Sequence, residues 1–155
     1  MQNIEERLAQ LGITLPPLPP PMANYVPFTL SGSVLYISGQ GPKTNDGDWI
    51  QGKVGKDVTL EQAYEAARLT GIRLLAVAQA ALGSLQRVKR VLKVNGFVNA
   101  VPEFQDQPAV INGCSDLLVN LLGDAGRHAR SAIGVGSLPQ NIVVEIEAIM
   151  EVEPV

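Results

Sequence analysis

Arg130-Ser-Ala-Ile-Gly-Val135, the turn Gly136-Ser-Leu-Pro139, and Ile142-Val-Val-Glu-Ile-Glu-Ala-Ile-Met-Glu-Val152 together decide the fold. Both flanking runs read as extended chain. In the second, Ile142, Val144, Ile146, Ala148, Met150 and Val152 fall on one side, and Val143, Glu145, Glu147, Ile149 and Glu151 on the other. Apolar residues at every second position mark a strand with one covered face. The opposite face mixes glutamates with Val143 and Ile149, too apolar to be simply wet. An arginine opens the first run and carboxylates punctuate the second. A guanidinium reads a planar carboxylate through its fork of donors. A glutamate inside a mostly apolar strand can hold or activate a water. The pair points to a site for a small carboxylate-bearing molecule. The plainer alternative for Arg130 is a structural salt bridge to Glu145 or Glu147 across the strands.

Outward from this stretch the pattern changes period. Residues 108–122, with Val110, Ile111, Leu117, Leu118, Leu121 and Leu122 apolar, predict a helix. Residues 88–100 alternate before it: Val88, Leu92, Val94, Val98 and Ala100 on one side, Lys89, Lys93, Asn95 and Asn99 opposite, a half-covered strand. Thr59 and Gln62 have the spacing of a capping box. They open a helix to about residue 82, with Ala63, Ala66, Ala67, Leu74, Leu75, Ala78 and Leu82 on one stripe. So many alanines imply close packing against a sheet. Residues 26–30 and 33–38 read as strands joined by a tight turn at Ser31-Gly32, and Asn45-Asp-Gly-Asp48 as a loop. Residues 4–11 predict a short helix ended by Gly12. Leu15-Pro-Pro-Leu-Pro-Pro-Pro21 then reads as a stiff strap pinning the terminus to its own body. The order is two strands, helix, strand, helix, two strands. That is an α+β domain with a single sheet and two main helices on one face. Residues 1–22 form the N-terminal helix and strap, and residues 23–155 the domain proper. Covering the helix-free face with further copies of the chain accounts for its apolar residues, so a homo-oligomer with sites at the seams is expected.

Composition narrows the function classes. The 155 residues suit one domain, with 46% apolar and 17% charged residues and a net charge of −3. That balance speaks against a nucleic-acid partner or an anionic membrane surface. One cysteine makes no internal disulfide, which fits a reducing compartment. Glu5 and Glu6 and the lack of a long apolar run speak against a secretory signal or a membrane span, so a cytoplasmic protein is expected. The lone histidine, His128, supports neither a histidine metal site nor a Ser-His-Asp triad and is expected at the surface. Cys114 is expected as a buried helix thiol. Gly39-Gln-Gly41 and Gly134-Val-Gly136 are tight turns, since neither continues into a helix with the third glycine of a phosphate cradle.

Five short motifs, in order, carry a resemblance: Asn24-Tyr25-Val26, Ser38-Gly-Gln-Gly-Pro42, Ile111-Asn112, Ala129-Arg130-Ser131 and Glu145-Ile-Glu-Ala148. From about residue 23 to the C-terminus the chain resembles the reactive intermediate deaminase family, also called RidA or YjgF. Older usage names that family for an endoribonuclease (L-PSP) activity. The resemblance implies a chorismate mutase-like fold and a homotrimer with three clefts between subunits. It implies hydrolysis of enamines and imines, made by pyridoxal-phosphate enzymes from amino acids, to a 2-keto acid and ammonia without metal or organic cofactor. By the same resemblance Arg130 clamps the substrate carboxylate and Glu145 positions the attacking water. Ser38 and the backbone around Gly39 and Ala132 contact the substrate, while Tyr25 and Asn112 shape the cleft. Ala132 stands where many members carry cysteine, and the segment before residue 23 is outside the common pattern, which suggests a side branch. Two rival functions are a trimer that binds a small carboxylic or keto acid as a regulator without turnover, and a ribonuclease. Against the ribonuclease stand the acidic balance, the single histidine and the few aromatics.

Overall fold

The computed structural model describes residues 3–18 and 24–154. Prolines 19–21 of the strap and the domain boundary drawn at residues 22 and 23 lie outside the described residues. The elements are α1 (Ile4–Gln10), β1 (Phe28–Ser31), β2 (Val34–Gln40), α2 (Leu60–Leu82), β3 (Val88–Asn99), α3 (Gln107–Leu122), β4 (Ala129–Val135) and β5 (Val144–Val152). The five strands form one sheet in the order β1-β2-β5-β3-β4. β5 is antiparallel to both β2 and β3, and β4 runs parallel to β3. A parallel pair needs a crossover, and α3 supplies it between β3 and β4. α2 likewise carries the chain from β2 over β5 to β3. Chain neighbours β4 and β5 are therefore not sheet neighbours.

α2 begins as its sequence dictates. The Thr59 hydroxyl accepts from the Gln62 N–H at 3.2 Å, and the Thr59 N–H donates to the Gln62 side chain at 2.9 Å. It stops at Gly83, whose left-handed φ of 80° suits a residue without Cβ. The alanine stripe is buried, and so is Cys114 on α3. Burial pushes its thiol up to about 12, far from a reactive thiolate. α2 and α3 approach closely because Gly113 has no side chain: a Cβ there would run into the carbonyl oxygen of Tyr64. The Tyr64 hydroxyl donates to Asp116 at 2.6 Å across the same crossing, and that bond is the main cause raising its pKa. α1 packs on α3, while Ile13 and, from the strap, Leu15 and Leu18 lie against the core.

Two parts of the predicted alternation fail locally. In β3 it is Val91, fully buried, and not Leu92 that enters the core. Register shifts between Val88 and Arg90 and between Val91 and Lys93 insert extra residues and reverse the phase. Asn99, expected on the polar side, is wholly buried. Its amide donates to the carbonyls of Gly52 and Ile142, each at 3.2 Å, and its oxygen accepts from Lys53 Nζ at 2.8 Å. It ties the ends of β3 and the 50–54 loop to the entry of β5. Ile142 and Val143 are both buried, because regular alternation begins only at Val144. The helix-free face therefore presents Tyr36, Phe97, Ile133 and Ile149 beside Glu145 and Glu147, without Val143. Tyr36 and Ile133 are 46% and 49% exposed.

Candidate active site

The candidate residues form two groups. The first gathers around Arg130 near the start of β4. Parallel register sets Arg130 beside Val94, which is buried under the helices, so the arginine reaches toward α3. Its Nη1 donates to Asn112 Oδ1 at 2.8 Å and to Ser115 Oγ at 3.1 Å. Ser115 Oγ lies 2.9 Å from His128 Nε2, and His128 Nδ1 lies 2.6 Å from the Gly126 carbonyl. A carbonyl can only accept, so Nδ1 carries the proton and Nε2 accepts from the serine hydroxyl. The chain of donors thus runs Arg130 to Ser115 to His128 to Gly126. Burial, ahead of the Arg130 charge, lowers the His128 pKa and favours this neutral ring. His128 is therefore not a free surface residue as the sequence suggested; it steadies Arg130 through Ser115. The sequence motifs single out neither Ser115 nor His128, although Asn112 and Ser115, three apart on α3, share a helix face. Ala132, two residues beyond Arg130, lies on the same side and packs against the core.

Among the described residues Arg130 has no carboxylate partner, and the ion pairs are Arg68–Glu65, Lys89–Glu151 and Arg127–Asp124. The salt bridge to Glu145 or Glu147 does not form. A guanidinium oriented by two neutral oxygens keeps its full charge for an anion, and its planar fork suits a carboxylate.

The second group gathers around Glu145 on β5. A Cβ on Gly39 would lie 3.0 Å from Glu145 Cδ and 3.2 Å from its Oε2, so the bare backbone of β2 passes directly against the carboxylate. A register shift between Ile37 and Gln40 accompanies this approach. Ser38 Oγ donates to the Val26 carbonyl at 2.7 Å, and its N–H donates to the Pro27 carbonyl at 2.9 Å. These bonds hold the 25–27 segment, with exposed Tyr25, beside β2. Burial first, and the neighbouring Glu147 second, raise the Glu145 pKa. A carboxylate made reluctant to ionise both accepts and returns a proton more readily near neutrality.

The structure does not bring the two groups together within one chain. Arg130 lies in register with Val94 and, one strand further, Ala148, on the helix side of the sheet. Glu145 lies in register with Phe97 and Ile133, on the open side. The described residues contain no cluster of three or more histidine, cysteine or acidic side chains suited to a metal ion. No helix among them is long and apolar enough to cross a membrane.

One mixed sheet with both long helices on one face, and the last strand inserted between the second and third, defines an α+β protein of the chorismate mutase-like class. The family model described as "YjgF/chorismate_mutase-like, putative endoribonuclease" matches residues 5–152, and the chain belongs to that family. The match takes in α1, so the likeness begins well before residue 23. The crystal structure of protein Atu1372 from Agrobacterium tumefaciens, of unknown function, is 51% identical with a TM-score of 0.89, covering 97% of this chain and 94% of that one. Protein TCP17 of Trypanosoma cruzi is 43% identical over 150 residues, 96% of this chain and 94% of its own length. A 2-iminobutanoate/2-iminopropanoate deaminase from Dermatophagoides farinae is 29% identical over 142 residues, 91% of this chain and 95% of its own.

Proposed function

We propose that this protein is a cofactor-free hydrolytic deaminase of 2-imino acids and their enamine tautomers, working at seams between copies of the chain in a homotrimer. The observation that carries the reading is Arg130, a guanidinium oriented by Asn112 and Ser115 with no carboxylate partner among the described residues. The similarity to the mite imine deaminase supplies the substrate class. Arg130 takes the substrate carboxylate, with the backbone at Ala132 beside it. Gly39 and Glu145 come from the neighbouring copy, with Tyr25 and Ser38 shaping that wall. The exposed Tyr36 and Ile133 on the open face give the copies an apolar surface to bury.

In this reading Glu145 holds a water against the imine carbon. The water oxygen bonds to that carbon as the C=N pair moves onto nitrogen, and Glu145 takes the water proton. From a protonated imine this gives the neutral carbinolamine, and Glu145 returns the proton to its nitrogen. The C–N bond breaks as the hydroxyl oxygen forms the C=O bond and gives its proton to Glu145, and ammonia and the 2-keto acid leave. An imine carbon is already electrophilic, so orientation and one proton carrier suffice.

The test is release of 2-keto acid from an imino acid generated in situ by an amino-acid oxidase, with semicarbazide competing for the imine. Wild type accelerates release, and Arg130→Ala loses about 3 kcal/mol of transition-state binding, on the order of a hundredfold in kcat/KM. Equal rates with wild type, Arg130→Ala and no protein would overturn the reading.

A further inference from the structure

A second cationic site, which shares no lining residue with the group around Arg130, lies where the N-terminal strap crosses α2. A cavity of about 720 Å³ is walled by residues 12–18, by the 43–47 loop, and by Arg68, Leu69, Ile72 and Arg73 of α2. Among the described residues that line it, three side chains are cations, Lys43, Arg68 and Arg73, and none is a carboxylate. In a chain of net charge −3 that grouping needs a reason. Arg68 is partly neutralised by Glu65 at 3.1 Å, and Asp46, within the loop, and Asp48, just past it, do not line the cavity. Arg73 is different. It is only 9% exposed, and among the described residues its Nε has no hydrogen-bond partner and it has no ion pair. Its contact is with a ring: Cζ lies 5.6 Å from the centroid of Trp49, and Lys43 Nζ lies 4.5 Å from the same centroid.

Burying a guanidinium with unmet donors is unfavourable, because its hydration is lost and only a ring quadrupole replaces it. The direction of its pKa agrees, since burial alone lowers it. One indole holds two cations toward one hollow, an arrangement that costs free energy when empty and recovers it when an anion enters. The rest of the lining is apolar where it meets the strap and helix, through Leu15, Leu18, Leu69 and Ile72.

We propose that this cavity binds a small organic anion, its carboxylate or phosphate head on Arg73 and Lys43 and its apolar body between the strap and α2. The site is independent of the imine chemistry assigned to Arg130 and Glu145. It uses none of their residues.

Trp49 is the only tryptophan, so its fluorescence reports the site directly. Phenyl phosphate and phenylacetate are titrated separately, with benzyl alcohol as the uncharged control. The expected result is a saturable change in Trp49 emission with at least one of the two anions and none with the alcohol. The stronger of the two anions identifies the head group. Lys43→Gln and Arg73→Met each weaken binding at least about tenfold, while Arg130→Ala leaves it unchanged. If Arg73→Met does not fold, Lys43→Gln carries the test, since Lys43 is partly exposed and outside the core. The proposal is overturned by no saturable change with either anion, by an equal response to benzyl alcohol, by binding indifferent to Lys43→Gln, or by binding lost in Arg130→Ala.

Discussion

Arg130 and Glu145 stand on opposite faces of the same sheet, two strands and three residues apart in register. Hydrogen bonds to α3 hold the arginine toward the helices, and the bare backbone of Gly39 covers the glutamate on the other side. Neither can be turned to the other without unpacking the sheet. If the two serve one reaction, they serve it from different copies of the chain.

This relationship predicts complementation. Arg130→Ala and Glu145→Gln are each expected to be inactive alone, yet co-refolding them in equal amounts should restore about one quarter of wild-type activity. In a randomly mixed cyclic assembly about one quarter of the seams pair an intact arginine with an intact glutamate. Keto-acid release from the mixture checks it. A mixture as inactive as its components, in assemblies shown to exchange subunits, would place both groups in a single-chain site.

Ser115 is the link between Arg130 and His128, and its removal should be felt at the arginine. Ser115→Ala takes one acceptor from Arg130 and the donor from His128 Nε2, with no change in net charge. Losing one hydrogen bond to a charged group corresponds to about 1.5–3 kcal/mol where the group is committed to it, and Asn112 remains as a second holder. A loss of about tenfold in kcat/KM, mostly in KM, is the expected outcome, with Ser115→Thr retaining most of the activity. Steady-state kinetics on the two variants decides it. Unchanged KM in Ser115→Ala would mean that Asn112 alone sets the arginine.

The same network predicts an acid sensitivity. His128 has a folded pKa below its ordinary value of 6.5, mainly through burial. A group with a depressed folded pKa contributes stability that is present above the unfolded value and lost as pH falls through the folded one. Wild type should therefore lose stability as pH drops below about 6.5, through this group, and His128→Asn should flatten that part of the profile. Denaturant midpoints at several pH values measure it. Parallel profiles for the two proteins would show that His128 does not titrate in the transition.

Elements were legible because their signals are local. The Thr59–Gln62 box and the alanine stripe each act within a turn or two of helix, and the even residues from Val144 to Val152 alternate without interruption. What escaped the sequence depends on partners distant along the chain. The bulges that exchange Leu92 for Val91 arise from pairing with β5, and buried Asn99 is explained only by carbonyls at Gly52 and Ile142. The motif residues could be named in order, but which face each occupies follows from β3 lying between β4 and β5. Residue spacing does not carry that.

Glu145 should weigh on stability in the opposite sense to His128. Its folded pKa is raised above 4.5 by burial and by Glu147. A raised folded pKa gives a contribution fully present below the unfolded value and lost as pH rises through the folded one. At neutral pH the ionised carboxylate is thus a net cost to the fold, and Glu145→Gln should unfold a few degrees higher than wild type at pH 7 while being inactive. The advantage should vanish near pH 4. Thermal scans at the two pH values check this, and a variant less stable than wild type at pH 7 would show that Glu145 accepts hydrogen bonds the fold depends on.

Gly113 tests the packing that carries the arginine's holders. A Cβ at this position would run into the Tyr64 carbonyl and come 3.1 Å from the Arg68 backbone nitrogen, both on the opposing helix, where backbone cannot swing aside. Gly113→Ala therefore pushes α2 from α3, and because Asn112 and Ser115 flank it, the displacement passes to the groups on Arg130. The helix-propensity gain of alanine over glycine, about 1 kcal/mol, opposes a clash expected to cost about 3 kcal/mol, so the clash wins by about 2 kcal/mol. Urea unfolding with an unchanged m-value and a lower midpoint is the expected signature, accompanied by a raised KM. Stability equal to or above wild type would mean that the two helices have room to separate, and the close crossing would not be what positions Arg130.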